Sequence, residues 1–269
     1  MQQLSPPKKR MKTIERSISL IVPALNEQNV VGSVLRAIHA EVSPRFSVFE
    51  IIAVNDGSSD TTGQIMEDFA RSHGNVIVIH NHKNIGLGAS FQKGLFQARH
   101  HYVMLLCGDG GLPALSLPKI FERIGTADLV IPYMINLKKI KSNTRYFLSR
   151  GYSNLLNFFF GFHLHYYNGL PVYPRLLLQE INITSTGFGF QGEVLVKLLK
   201  SGCTFVEVGV EGAEETGRSF ALRPKNLFSV AKTFLHLVVE IIRFTPIPSE
   251  VIVRSRLSNP SPANPSINL

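Results

Sequence analysis

The sequence predicts an α/β fold with a mostly parallel central sheet flanked by helices, and three observations carry that expectation. Short apolar runs rich in β-branched residues begin near Ser17, Val48, Asn75 and Tyr102. Each is followed by a stretch with helical spacing before the next run starts. The polar residues able to do chemistry gather where the runs stop. Strand and helix alternating at this spacing is the rhythm of right-handed βαβ crossovers, which build parallel sheets. In such sheets ligands bind outside the carboxyl ends of the strands.

Taken in order, Ser17-Ile18-Ser19-Leu20-Ile21-Val22 is the first strand and ends at Pro23-Ala24-Leu25-Asn26-Glu27. Val30, Val31, Val34, Leu35 and Ile38 then recur at helical spacing. The run Val48 to Asn55 is the centre of the pattern, a buried strand that stops abruptly in Asn55-Asp56-Gly57-Ser58-Ser59-Asp60. Alone, that ending also reads as an ordinary tight turn. Thr61-Thr62-Gly63-Gln64 has capping-box spacing, with Asp60 as an alternative cap, so a helix through Ile65, Met66 and Phe69 is expected. A third strand, Asn75 to Ile79, runs into Asn84-Ile85-Gly86-Leu87-Gly88-Ala89 and a helix through Phe91, Leu95 and Phe96. The fourth, Tyr102 to Leu106, ends at Cys107-Gly108-Asp109-Gly110-Gly111.

The second half is less regular. Asp128 to Pro132 is a fifth strand, and Lys138, Lys139, Lys141, Arg145 and Arg150 form a basic segment leading into an apolar helix with Leu155, Leu156 and Phe158 to Phe160. A helix starting near Gln191 precedes an alternating strand, Thr204 to Val210. From Asn226 to Phe244 the chain is strongly apolar but interrupted by Lys232, His236, Glu240 and Arg243, which fits a helix lying against protein or in a membrane interface.

With 269 residues, 44% of them hydrophobic, the chain has enough apolar material for one large domain. The expected organisation is a disordered basic arm over 1–16, one folded domain over 17–225, an amphipathic helix over 226–244 and a flexible Pro/Ser-rich tail over 245–269. Lys8, Lys9, Arg10 and Lys12 are not followed by an apolar core segment, so the arm does not read as a secretory signal. Two cysteines, Cys107 and Cys203, make neither a disulfide framework nor a zinc pattern, which favours a reducing, cytoplasmic compartment and core thiols. No window holds the roughly 18 uncharged apolar residues a bilayer span needs. The net charge of +9 favours anionic partners, but the aromatic interleaving of nucleic-acid surfaces is not evident, so no nucleic acid is expected.

Glu27, Asp56 and Asp109 each fall where a strand has just ended, so a parallel sheet would bring them to one rim. Carboxylates there can accept hydrogen bonds from a ribose or base, or hold a divalent cation on phosphates; each alone also fits a loop cap. The Gly86-Leu87-Gly88 loop suits either a phosphate cradle at a helix start or close packing. Gln191-Gly192-Glu193 opens a helix, where Glu193 fits a general base or a carboxylate stabilised by the helix dipole. Arg218, Ser219, Arg223 and Lys225 form a basic run suited to phosphate or simply to solvent.

Together these motifs resemble, in order, the inverting family 2 glycosyltransferases with the GT-A, Rossmann-like fold: Pro23-Ala24-Leu25-Asn26-Glu27, Val54 to Asp60, Asn84 to Gly88, Asp109, Gln191-Gly192-Glu193 and Gly217-Arg218-Ser219. The branch most similar is the dolichyl-phosphate mannosyltransferase and polyprenyl-phosphate sugar transferase group, over about residues 17 to 244. The resemblance implies that Pro23, Ala24, Asn26, Glu27 and Asp56 meet the base and ribose of a nucleotide-sugar donor. It implies Asp109 as the ligand of Mg²⁺ or Mn²⁺, with Gln191 and Glu193 near sugar and acceptor. Ser219 with Arg223 or Lys225 would meet phosphates, Gly86 lying in the neighbouring loop. The acceptor it implies is a polyprenyl or dolichyl phosphate, with contact to the cytosolic face of a membrane through the basic residues from Lys138 to Arg150 and the helix from Asn226.

Three positions depart from that pattern. Cys107 stands where the family's metal motif has its first aspartate, and a thiol is a poor ligand for a hard cation, so metal affinity is expected to weaken or to draw on another ligand. Pro171 stands where the lipid-phosphate branch has an arginine, and so does Glu214 before the Gly217-Arg218-Ser219 motif. The expected activity is hexosyl transfer from a UDP- or GDP-sugar to a polyprenyl phosphate. The alternatives are a weakened nucleotide-sugar-binding subunit, or a family 2 enzyme with a non-lipid acceptor.

Overall fold

The computed structural model describes residues 17–213 and 224–258, with backbone alone from 224 to 229. Among these residues seven strands, β1 (Ile18–Ala24), β2 (Phe49–Asn55), β3 (Val76–His80), β4 (Tyr102–Leu105), β5 (Leu129–Met134), β6 (Val172–Pro174) and β7 (Phe205–Val210), form one sheet in the order β3-β2-β1-β4-β6-β5-β7. β6 runs antiparallel to β4 and β5, and the other pairings are parallel. Every residue of β1 and all but the first of β2 are buried. That is why both read as continuous apolar runs rather than as alternating ones.

Among the described residues ten α-helices connect and flank the strands: α1 (Val31–Val42), α2 (Thr62–Arg71), α3 (Leu87–Gln97), α4 (Leu117–Phe121), α5 (Leu137–Ile140), α6 (Asn143–Phe160), α7 (Arg175–Gln179), α8 (Phe190–Lys200), α9 (Pro224–Ile242) and α10 (Ser249–Leu257). Among the described residues none is long and apolar enough to cross a membrane.

Register places the functional rim. Ile18 pairs with both Phe49 and Tyr102, and Ala24 with Asn55, so β1 and β2 end level. Past the end of β4 the chain stays beside β1, with Leu106 N–H donating to Ile21 at 2.9 Å and Gly108 N–H to Pro23 at 2.9 Å. Asp109 therefore arrives beside the segment that carries Glu27. At the opposite end of the sheet Glu50, 1% exposed, is closed off by Ser19 Oγ (2.6 Å) and by Arg99 Nε and Nη2 (3.0 and 2.7 Å).

Four expectations are corrected. The capping box does not form: Gln64 donates to Asp68 and Thr61 Oγ1 to Gln28, while Asp60 Oδ1, the alternative cap, accepts Thr62 N–H at 2.9 Å. β6 was not foreseen, because three residues flanked by Pro171 and ending in Pro174 carry no strand signal. α9 begins two residues earlier and ends two earlier than the 226–244 helix expected. The segment expected as a flexible tail from 245 is folded through α10. Ile247 and Ile252 are buried, and Arg256 forms a two-pronged ion pair with Asp128 at 2.8 and 2.7 Å. The basic arm over 1–16 lies outside the described residues.

Candidate active site

The loops after β1 and β2 are built as one unit from short polar side chains. Asn26, the one non-glycine with positive φ among the described residues, at 56°, donates its N–H to Ser58 Oγ (3.0 Å), and its Oδ1 accepts Ser59 N–H (2.9 Å). Glu27 N–H donates to Thr62 Oγ1 (2.8 Å), and Gln28 joins Asp60 and Thr61. Gly57 turns the chain at φ 73°, where a Cβ would sit 2.3 Å from the Lys83 backbone. The polar cluster that marked this stretch in sequence is thus largely engaged in holding the rim's shape. The Pro23 and Ala24 carbonyls are likewise taken, by Gly108 and Asp56 N–H.

Asp56 is buried, 5% exposed. Its Oδ1 accepts Asn81 Nδ2 (2.9 Å) and Ile85 N–H (2.9 Å), and its Oδ2 accepts Gly86 N–H (3.1 Å). Lys93 Nζ steadies Asn81 at 2.7 Å. Asp56 therefore acts on the 84–86 turn from inside the protein. The turn itself does not cradle phosphate: the Gly86 amide belongs to Asp56, and the Gly88 and Ala89 amides donate to the Thr186 carbonyl (2.8 and 3.2 Å). Gly86, φ 95°, has no room for a Cβ, which would lie 2.7 Å from that same carbonyl. Its role as a ligand contact is corrected to one of close packing.

What stays open on the rim is acidic. Asp109 is exposed, with Oδ1 accepting Gly111 N–H at 3.0 Å and no other hydrogen bond to its carboxylate among the described residues. Glu27 is half-buried, and partial desolvation, then the charges of Asp109 and Asp60, raise its carboxyl above the usual range. Cys107, two residues before Asp109, is half-buried; burial and then the charges of Asp109 and Glu27 push its thiol well up, so it stays protonated. A neutral thiol is no ligand for a hard cation, and no cluster of three metal-binding side chains occurs among the described residues. Two mutually repelling carboxylates fit a divalent ion when phosphate oxygens complete its shell.

Glu193 is not a general base. At 1% exposure its Oε1 accepts Thr184 N–H (2.7 Å), Thr184 Oγ1 (3.0 Å) and Lys197 Nζ (2.7 Å), and its Oε2 accepts Ser185 N–H (2.9 Å). Burial opposes its charge, yet the bonds from Lys197, Ser185 and Thr184 together hold its carboxyl below the ordinary value. Gln191, 5% exposed, donates Nε2 to the Gly169 carbonyl at 2.6 Å and so braces that turn. Lys197, itself 1% exposed, also bonds Glu240 Oε1 (2.8 Å) and the Asn182 carbonyl (2.6 Å), joining α8 to α9. The i, i+4 spacing of Glu193 and Lys197 was the available signal for this pair.

Of the basic segment, Lys141 donates to Tyr166 Oη (2.9 Å) and Arg150 to the His165 carbonyl (3.4 Å), while Lys138 and Lys139 are exposed. Ser219 and Arg223 lie outside the described residues, as does the side chain of Lys225.

A mostly parallel sheet with one antiparallel strand, carrying its acidic groups at the carboxyl ends of β1 and β4, is the fold of a GT-A nucleotide-diphospho-sugar transferase. A glucosyl-3-phosphoglycerate synthase from Mycobacterium tuberculosis, solved with Mn²⁺, UDP-glucose and phosphoglyceric acid, shares it. The TM-score is 0.62 at 19% identity, over 83% of this chain and 80% of that one. The chain belongs to glycosyl transferase family 2, whose sequence pattern matches residues 19–184, more than half its length. It is 33% identical over 107 residues to an undecaprenyl-phosphate 4-deoxy-4-formamido-L-arabinose transferase of Pseudomonas fluorescens, covering 39% of this chain and 31% of that protein. A dolichyl-phosphate beta-glucosyltransferase of Trichomonas vaginalis is 32% identical over 98 residues, covering 35% and 30%. The chain thus spans about a third of the length of these curated relatives.

Proposed function

We propose that the protein is an inverting hexosyltransferase that moves a sugar from a UDP- or GDP-linked donor to a polyprenyl phosphate at a membrane surface. The observation that carries this reading is the pair Glu27 and Asp109, mutually repelling carboxylates at the open rim of a family 2 fold. Asp109 would hold Mg²⁺ or Mn²⁺, whose charge stabilises a departing diphosphate. Pro23, Ala24 and Glu27 border the donor's base and ribose, while Asn26 and Asp56 keep that border rigid through the Ser59 and Gly86 contacts. Ser219, Arg223 and Lys225 are the proposed phosphate contacts.

In the transfer, a phosphate oxygen of the acceptor forms its bond to the anomeric carbon as the bond from that carbon to the diphosphate breaks. The electron pair leaves with the nucleoside diphosphate, and attack from the opposite face inverts the centre. Such an acceptor is anionic at neutral pH, so no proton need be removed. The loss of Glu193 as a base favours it over a hydroxyl acceptor. Both curated relatives described above are named for lipid-phosphate acceptors.

Cys107 supports a second reading, a nucleotide-sugar-binding subunit with weakened turnover, because its protonated thiol replaces a carboxylate beside Asp109. Thermal unfolding with UDP-, GDP- and dTDP-sugars, with and without Mn²⁺, followed by transfer to a short-chain polyprenyl phosphate or to phosphoglycerate, decides between them. A ligand that binds only the folded state adds about 2.7 kcal/mol at a hundredfold excess over its dissociation constant. A metal-enhanced shift with transfer to the polyprenyl phosphate is expected. A shift without transfer to any phosphate favours the binding subunit, and no shift at all overturns both readings.

A further inference from the structure

Away from the rim, α6 and α9 expose large apolar side chains that no part of the described protein covers. On α6 Phe158 is 83% exposed and Phe159 52%; on α9 Leu235 is 65%, Val239 59% and Ile242 80%. Phe159 meets the buried Phe234 edge to face, with centroids 5.2 Å apart, so the last turn of α6 packs against α9. The apolar positions of α9 recur at 235, 239 and 242, one stripe of the helix, with Lys232 at one end and Arg243 at the other, both exposed. Past the end of α6, the ammonium of Lys200, the last residue of α8, lies 5.4 Å over the Phe162 ring. The acidic group of this stretch, Glu240, is half-buried, with Oε1 on Lys197 and Oε2 withdrawn from solvent.

We infer that this α6–α9 face docks on an anionic lipid bilayer, with Phe158 and Ile242 entering the headgroup boundary and Lys232, Arg243 and Lys200 meeting lipid phosphates. Charge decides the occupant. Among the described residues, long cationic side chains flank an α9 stripe that carries no exposed carboxylate, so their stems lie along the apolar surface while their heads reach an anionic plane. The inference rests on the lipid-phosphate reading for its biological setting, but its test does not.

The test is flotation with vesicles of phosphatidylcholine alone and of phosphatidylcholine with about 30 mol% phosphatidylserine, a composition with an appreciable negative surface potential. The protein is expected to float with the second and not the first. Phe158→Ser and Ile242→Ser, both at exposed positions, should each weaken partitioning about tenfold, the loss expected when a large apolar side chain no longer leaves water. Lys232→Glu with Arg243→Glu should abolish the preference for phosphatidylserine. Equal partitioning of the variants and the native protein would overturn the inference. So would a dimer in sedimentation that Phe158→Ser dissolves without altering flotation, which would make the face an interface between copies. Transfer to a short-chain acceptor without vesicles should be unaffected by either Ser variant. Should the native protein float yet transfer nothing to that acceptor, the docking face stands and the acceptor reading falls.

Discussion

Glu193 and Lys197 form a buried ion pair at 2.7 Å, each 1% exposed, which with the Thr184 and Ser185 donors occupies the Glu193 carboxylate. Lys197 binds two carboxylates and a carbonyl, so it neutralises a charge that the interior could not otherwise hold.

Lys197→Met should leave Glu193 buried without a counter-charge and destabilise the fold by about 3–5 kcal/mol. Denaturant unfolding measures this. Because the folded carboxyl of Glu193 lies below its unfolded value, its contribution is present above the unfolded pKa and lost as pH falls through the folded one. The native protein should therefore lose stability on acidification more steeply than Glu193→Gln does.

Asp109→Asn should abolish metal-dependent donor binding and transfer while leaving the unfolding midpoint within about 0.5 kcal/mol of native, since the residue is exposed. Cys107→Asp should tighten Mn²⁺ binding measured by calorimetry. Unchanged affinity would show that position 107 does not face the cation.

Glu27 behaves in the opposite sense to Glu193. Its folded carboxyl is raised, so its contribution to stability is present below the ordinary carboxylate range and is lost as pH rises through the raised value. Glu27→Gln should stabilise the ligand-free protein at neutral pH, by less than about 1 kcal/mol because the group is solvent-screened, and should weaken donor binding. Thermal melts across pH, paired with donor titration, read both effects.

Asp56→Asn places an amide donor among three N–H groups that now point at carboxylate oxygens. A loss of about 1–3 kcal/mol is expected, with faster hydrogen exchange at Ile85 and Gly86.

Arg256→Ala strands Asp128, whose side chain is 4% exposed, and should cost about 3 kcal/mol or more; truncation before Ser249 should do the same. A freely moving tail would show no change in either unfolding experiment.

The apolar run from Val48 to Asn55 specified β2 without help, because a strand buried on both faces must be apolar along its whole length. The spacing of such runs determined the parallel sheet, and hence that Glu27 and Asp109 would share a rim. The start of a helix just after Asp60 was legible, although Asp60 binds the Thr62 N–H from a position before the N-cap, Thr61. What only the tertiary structure decided depends on partners distant in sequence. Asp56 is engaged by Asn81, Ile85 and Gly86, the Gly88 amide by Thr186, Asp128 by Arg256 across the domain, and Phe159 is steered to an exposed face beside Phe234. Glu193 shows the division best: its position at a helix start was readable, but whether its carboxylate is free was settled by Thr184, Ser185 and Lys197, because a side chain's reactivity depends on which hydrogen-bond donors folding leaves beside it.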